Sequence, residues 1–200
     1  PLHESVQYKT PGVLSLLAQH QEAQLNLFDS EGNTALMKAV KNRDLLSTQI
    51  LLKARADPNF GNAYTSPLIL AAMTDNTNMT NLLLAAKADV DLQPKNSMFT
   101  ALMVAANHSP KVFQMLFNNK ANASLKDCHG NTSAHYGVLG AMRQSFMIAQ
   151  NLKGDETSKV LQLLKWKPDL FIVLKILGSQ NVDFNYLNSA KRNALEYAQA

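Results

Sequence analysis

Thr34-Ala-Leu-Met-Lys-Ala-Val40, Ser66-Pro-Leu-Ile-Leu-Ala-Ala72, Thr100-Ala-Leu-Met-Val-Ala-Ala106 and Thr132-Ser-Ala-His-Tyr-Gly-Val138 are four copies of one shape, with starts 32, 34 and 32 residues apart. An alanine followed three residues later by Asn, Asp or Ser keeps step with them at Ala23/Asn26, Ala56/Asn59, Ala88/Asp91 and Ala121/Ser124. A period near 33 built from short helical pieces is that of stacked repeats. The residue types suit that reading. A threonine or serine before each helix can cap an exposed amide through its hydroxyl, and proline is tolerated at the first helical position because no donor is needed there. Ala71-Ala72 and Ala105-Ala106 let neighbouring helices approach closely, while Leu36, Leu68 and Leu102 supply the apolar mass. No single unit buries enough on its own, so stability has to come from stacking.

Around these copies, Asp29, Gly32 and Thr34 make a D-x-x-G-x-T turn, as do Asp127, Gly130 and Thr132. Leu51-Leu52 with Ala56-Asp57-Pro58-Asn59, and Leu83-Leu84 with Ala88-Asp89-Val90-Asp91, close the units in the manner of L-L-x-x-G-A-D-x-N; Leu116-Phe117 with Ala121-Asn122-Ala123-Ser124 is a weaker copy. This combination resembles the ankyrin repeat. Pro1-Leu2-His3-Glu4-Ser5-Val6 fits the first-helix motif one register earlier, and Val182-Asp183-Phe184-Asn185 with Asn193-Ala-Leu-Glu-Tyr-Ala198 fits the closing and opening motifs at the other end. The resemblance implies an all-α ankyrin-repeat solenoid of paired antiparallel helices with hairpin-like loops. It predicts one domain over 1–200 with units 1–28, 29–61, 62–94, 95–127, 128–187 and an incomplete 188–200. The fifth unit is too long by roughly 28 residues, an insertion at about 143–167. There, Ala141–Leu152 continues a helix, Gly154 breaks it, Glu156–Trp166 forms another and Pro168 opens a third.

Composition narrows the classes of function. Hydrophobic residues make up 46% and charged residues 17%, enough for a continuous core. No apolar run reaches the roughly 18 residues of a membrane span. The one cysteine, Cys128, precludes an internal disulfide framework and fits a reducing compartment. Sequons begin at Asn78, Asn107, Asn122 and Asn131; their functional reading is glycosylation in a secretory lumen, against which asparagine-rich repeats generate sequons by accident. A net charge of +4 from 19 basic and 15 acidic residues is a mild excess, and nucleic acid is not an expected partner. The densest basic stretch, Lys153 to Lys175, is interleaved with leucines and Trp166 and reads as the solvated face of amphipathic helices.

Candidate chemistry is sparse. Cys128-His129 with His135 offers three metal ligands at most, where zinc normally takes four. In the resemblance the first two occupy a variable turn tip, and His135 is the histidine of the helix motif. No phosphate-cradling glycine loop is present. The expectation is therefore no catalytic residue, no metal and no cofactor.

The resemblance implies a concave binding surface built from turn tips and the exposed ends of the first helices. On that surface stand Phe28, Glu31, Asn33, Phe60, Tyr64, Lys95, Met98, Phe99 and His129 at the tips, and Lys41, Asn42, Met73, Asp75 and His108 along the groove. Phe28, Phe60, Tyr64, Met98 and Phe99 are large and apolar where a tip is normally polar, and clustered aromatics mark partner sites. Trp166 in the insertion either grips a partner or belongs to a cap sealing the stack. The implied function is a noncatalytic adaptor or scaffold binding another protein, as a cytoplasmic monomer. The degenerate repeats, abundant asparagine and insertion resemble, weakly, the ankyrin effectors of intracellular bacteria, which would place the chain in host cytosol with a eukaryotic host protein as partner. The alternative is the substrate-recruiting domain of a larger enzyme, such as a transferase or ubiquitin-ligase component, whose catalytic part lies outside these 200 residues.

Overall fold

A computed structural model describes residues 1–21 and 23–140; the insertion at 143–167, its Trp166 and the last unit lie outside the described residues. All regular structure among the described residues is helical: α1 (Leu2–Gln7), α2 (Pro11–Gln19), α3 (Ala35–Lys41), α4 (Leu45–Lys53), α5 (Pro67–Met73), α6 (Thr77–Ala85), α7 (Ala101–His108), α8 (Pro110–Asn118) and a ninth helical run over 133–140. Helices this short are unstable alone in water, so their cohesion must come from packing.

The chain groups into two compact units, Pro1–Ala101 and Leu102–Ala200. In the first, α1 pairs with α2, α3 with α4 and α5 with α6. The leading helices α1, α3 and α5 pack as one row and α2, α4 and α6 as a second, a two-layer stack. Leu36, Met37, Leu51, Leu68, Ile69, Met79 and Leu83 fill the space between the layers and are almost wholly shielded. Burying each leucine contributes about 1.5–3 kcal/mol relative to exposure. In the second unit, Leu102, Met103, Val112, Phe113, Leu116 and Ala134 form the corresponding buried set.

The helices begin where the hydroxyl residues stand. Thr34 Oγ1 accepts the Met37 N–H at 3.1 Å, and Ser109 Oγ accepts that of Val112 at 3.2 Å. Asp44 and Asn76 cap α4 and α6 through the N–H groups of Ser47 and Met79. The ends are equally uniform. After α4, Arg55 N–H donates to the Leu52 carbonyl and Ala56 N–H to that of Leu51; Lys87 and Ala88 repeat this after α6, and Lys120 and Ala121 after α8. This Schellman closure needs a left-handed residue, which is normally glycine. Here Arg55, Lys87 and Lys120 hold φ of 70°, 67° and 65° in the place where the repeat pattern has its glycine. Lys9, Arg43 and Asp75 close α1, α3 and α5 in the same left-handed conformation.

The Ala/Asn landmark also has a physical reason. Asn26 Oδ1 accepts the Asp57 N–H at 3.1 Å, and Asn59 Oδ1 accepts the Asp89 N–H at 2.7 Å. These two asparagines each pin the backbone of the following repeat, a reason for a side-chain oxygen at that place of the period.

Candidate functional site

Four turn tips precede α3, α5, α7 and the run at 133–140, and they are of two kinds. The first (29–34) and fourth (127–132) read Asp-x-x-Gly-Asn-Thr; the second (61–66) reads Gly-Asn-Ala-Tyr-Thr-Ser and the third (95–100) Lys-Asn-Ser-Met-Phe-Thr.

In the first and fourth tips the side chains serve the turn itself. Asp29 Oδ1 accepts the N–H groups of Glu31 and Asn33, both at 2.9 Å, and its other oxygen pairs with Lys38 at 3.2 Å. Burial alone would raise the Asp29 pKa, but the donors of Asn33, Lys38 and Glu31 outweigh it and hold the carboxyl below its ordinary value. Asp127 Oδ1 accepts the N–H groups of His129 and Asn131, and its Oδ2 accepts from the Asn131 carboxamide and the Tyr136 hydroxyl. Gly32 and Gly130 supply the left-handed residue, at φ of 73° and 77°.

Asn33 therefore departs from its expected place on the displayed surface: it is 7% exposed, with its amide held by Asp29 and its carboxamide by Glu31. Asn131, its counterpart, is 1% exposed, and its carboxamide is engaged by Asp127 and Tyr136. A glycan on Asn131 is incompatible with this packing. The signal was present in the sequence, since Gly-Asn-Thr recurs unchanged in both tips, as a constrained rather than a variable position does.

The second and third tips have lost this arrangement. The aspartate place is taken by Gly61 and Lys95, the glycine place by Tyr64 and Met98, and the asparagine place by Thr65 and Phe99. In the second tip, Asn62 Oδ1 caps the turn instead, accepting the N–H groups of Tyr64 and Thr65 at 2.9 Å. A Cβ at position 61 would collide with the Thr65 carbonyl and the Ser66 Cα, so glycine is required there by close backbone approach. Thr65 Oγ1 is buried without a hydrogen-bond partner, in the place where Asn33 and Asn131 meet their aspartates. In the third tip, Met98 holds the left-handed φ of 51° without being glycine.

These tips are tied together through the backbone. Asn62 Nδ2 donates to the Gly32 carbonyl, Asn96 N–H to that of Ala63, and Ser97 Oγ to that of Tyr64. Exposed apolar side chains stand on and beside them. Phe28 and Phe60 stack with ring centroids 5.2 Å apart yet remain 46% and 38% exposed; Tyr64 is 65% and Met98 39% exposed. Phe99 is half-buried. The nearby charges are largely self-paired, Asp29 with Lys38 and Glu31 with Lys41 at 3.7 Å, whereas Lys95 makes no ion pair among the described residues. A cleft of about 330 Å³ lies between the second and third tips, lined by Asn59, Asn62, Thr65, Gln93 and Lys95 among others.

Along the leading helices, Lys41, Asn42, Met73 and Asp75 are exposed at the ends of α3 and α5, and His108 at the end of α7. His129 and Cys128 are exposed at the fourth tip, whereas His135 is wholly buried with Nδ1 3.1 Å from Thr132 Oγ1. The three do not converge, and no group of three or more metal-ligating side chains forms among the described residues. No helix among them is long and apolar enough to cross a membrane.

Two family models for ankyrin repeats match the chain, one over residues 16–71 and one, of three copies, over 47–127. Protein glp-1 of Caenorhabditis elegans is similar at 25% identity over 199 residues, an alignment that covers 89% of this chain and 15% of that protein. The chain thus spans about 15% of that relative's length.

Proposed function

The chain belongs to the ankyrin-repeat family, and from that premise we propose that it is a noncatalytic interaction module that holds a partner protein on its second and third turn tips and the adjoining groove. Repeat arrays of this type bind proteins through extended surfaces, and which surface is used lies in the positions that depart from the repeat pattern. The observation that carries the reading is the stacked and still exposed Phe28–Phe60 pair, continued by Tyr64 and Met98. Aromatic residues held rigid and half in water are the usual anchors of an interface. The proposed setting is cytosolic, in keeping with the lone exposed Cys128. An effector directed at host proteins is a narrower form of the same reading, on which recovery of a partner from eukaryotic lysate bears directly.

The test is affinity capture from eukaryotic lysate, comparing the parent with a Phe28→Ser, Phe60→Ser, Tyr64→Ser variant of unchanged helicity. The proposal expects a protein retained by the parent and lost by the variant; equal retention would contradict it. A second reading, the substrate-recruiting portion of a longer enzyme, draws on the small share of the relative's length that the chain matches. It leaves the binding surface where it is and adds catalysis elsewhere in the protein.

A further inference from the structure

We propose that the cleft between the second and third tips reads a carboxylate: it receives an Asp or Glu side chain from an extended partner segment whose neighbouring apolar side chain lies on Phe60 and Tyr64. The inference rests on the interaction reading above and names the chemistry of the partner. Three observations carry it. First, the cleft is lined by Lys95 and by no acidic residue, and Lys95 is unpaired among the described residues while Lys38 and Lys41 are already engaged by Asp29 and Glu31. Secondly, the lining is rich in donors. The Asn62 carboxamide uses one N–H on the Gly32 carbonyl and has a second, Asn59 contributes another carboxamide, and Thr65 brings a hydroxyl buried without a partner. An ionised carboxylate is an acceptor only, so a cleft of surplus donors around one cation complements it. Thirdly, the tip carbonyls of Gly32, Ala63, Tyr64 and Met98 already accept hydrogen bonds within the protein. A partner segment is therefore read through its side chains rather than by adding to an open backbone edge. A single cation does not suit a phosphate polymer, which is bound by several.

The test begins with a displayed library of random peptides of about twelve residues panned on the whole chain, a length that spans two tips. Enriched sequences should carry Asp or Glu within a residue or two of a large apolar side chain. Fluorescence anisotropy of one such labelled peptide should then show Lys95→Gln weakening binding by about fivefold, as for a partly exposed charge pair. Replacing the peptide's acidic residue by its amide should cost the parent a similar factor and the Lys95→Gln chain almost nothing. Thr65→Val, which removes the hydroxyl at nearly constant volume, should weaken the acidic peptide more than its amide form. Lys95 is exposed, so its replacement leaves the fold intact. Failure to enrich any peptide, enrichment of basic or carboxylate-free sequences, or indifference of the peptide to Lys95→Gln would overturn the proposal. If Phe28→Ser with Phe60→Ser abolishes binding while Lys95→Gln leaves it unchanged, the cleft assignment falls and the apolar ridge stands. If neither matters, both fall.

Discussion

The fourth turn tip, 127–132, and the third, 95–100, occupy the same place in the repeat and use it in opposite ways. In the fourth, Asp127, Gly130 and Asn131 turn their polar groups inward: the carboxylate accepts four hydrogen bonds, the glycine takes the left-handed turn and the asparagine is 1% exposed. In the third, Lys95 and Met98 stand at the aspartate and glycine places, one an unpaired cation and the other an exposed side chain in a conformation that disfavours it. A tip that keeps the pattern has its side chains committed to holding the turn. One that departs from it gives up local stability and leaves side chains facing solvent, where a partner can meet them. Left-handed residues other than glycine persist where surrounding structure over-determines them, often at functional sites.

Asp127→Ala should destabilise the chain by about 3 kcal/mol, because it strands buried donors of Asn131 and Tyr136. Urea unfolding of parent and variant checks this; a loss below about 1 kcal/mol would mean that the fourth tip is not the structural one. Next comes an exchange of roles at the left-handed position. Gly130→Met should cost about 1–2 kcal/mol, and Met98→Gly should gain about 0.5–1 kcal/mol while weakening partner binding. Stability rising with binding untouched would show the Met98 conformation to be incidental. A smaller gain, about 0.5 kcal/mol each, is expected from Arg55→Gly and Lys87→Gly, which relieve the same backbone conformation at helix ends outside the tips and should leave binding as it is.

The smallest effect concerns acid. Asp29 is held below its ordinary pKa when folded, so the folded chain binds fewer protons than the unfolded one in that range. Its contribution is fully present above the unfolded value of about 3.9 and is lost as pH falls through the lower folded value. Asp29→Asn should therefore be the less stable protein near neutrality and should lose less stability than the parent on acidification. Parallel urea midpoints for the two across that range would contradict the assignment.

How much of this was legible in the sequence differs between local and relational features. Caps, helix starts and core leucines sit at fixed offsets within a period of about 33, so Thr34, Ser66, Leu36 and Leu68 could be placed without a structure. Asn26 and Asn59 are visible as a landmark, though not as clamps on the next repeat, because the N–H groups they accept from, those of Asp57 and Asp89, lie about 30 residues further along the chain. Asn33 stands at a turn tip, where polar residues that hold the turn and polar residues on display look alike in sequence. Only its exact recurrence at Asn131 distinguishes it. The cations at 55, 87 and 120 stand in the glycine place of the pattern, and nothing in their type announces a left-handed backbone. The cleft with its orphan Thr65 hydroxyl was illegible for a plainer reason: two loops some thirty residues apart build it, and only the stacking register brings them together.

Hydrogen–deuterium exchange of the whole chain, with and without the protein recovered by affinity capture, reads the binding surface tip by tip. Slowed exchange is expected over 60–65 and 95–99, with 127–132 unchanged. Protection of 127–132, or of α4 and α6 with the second and third tips untouched, would contradict it.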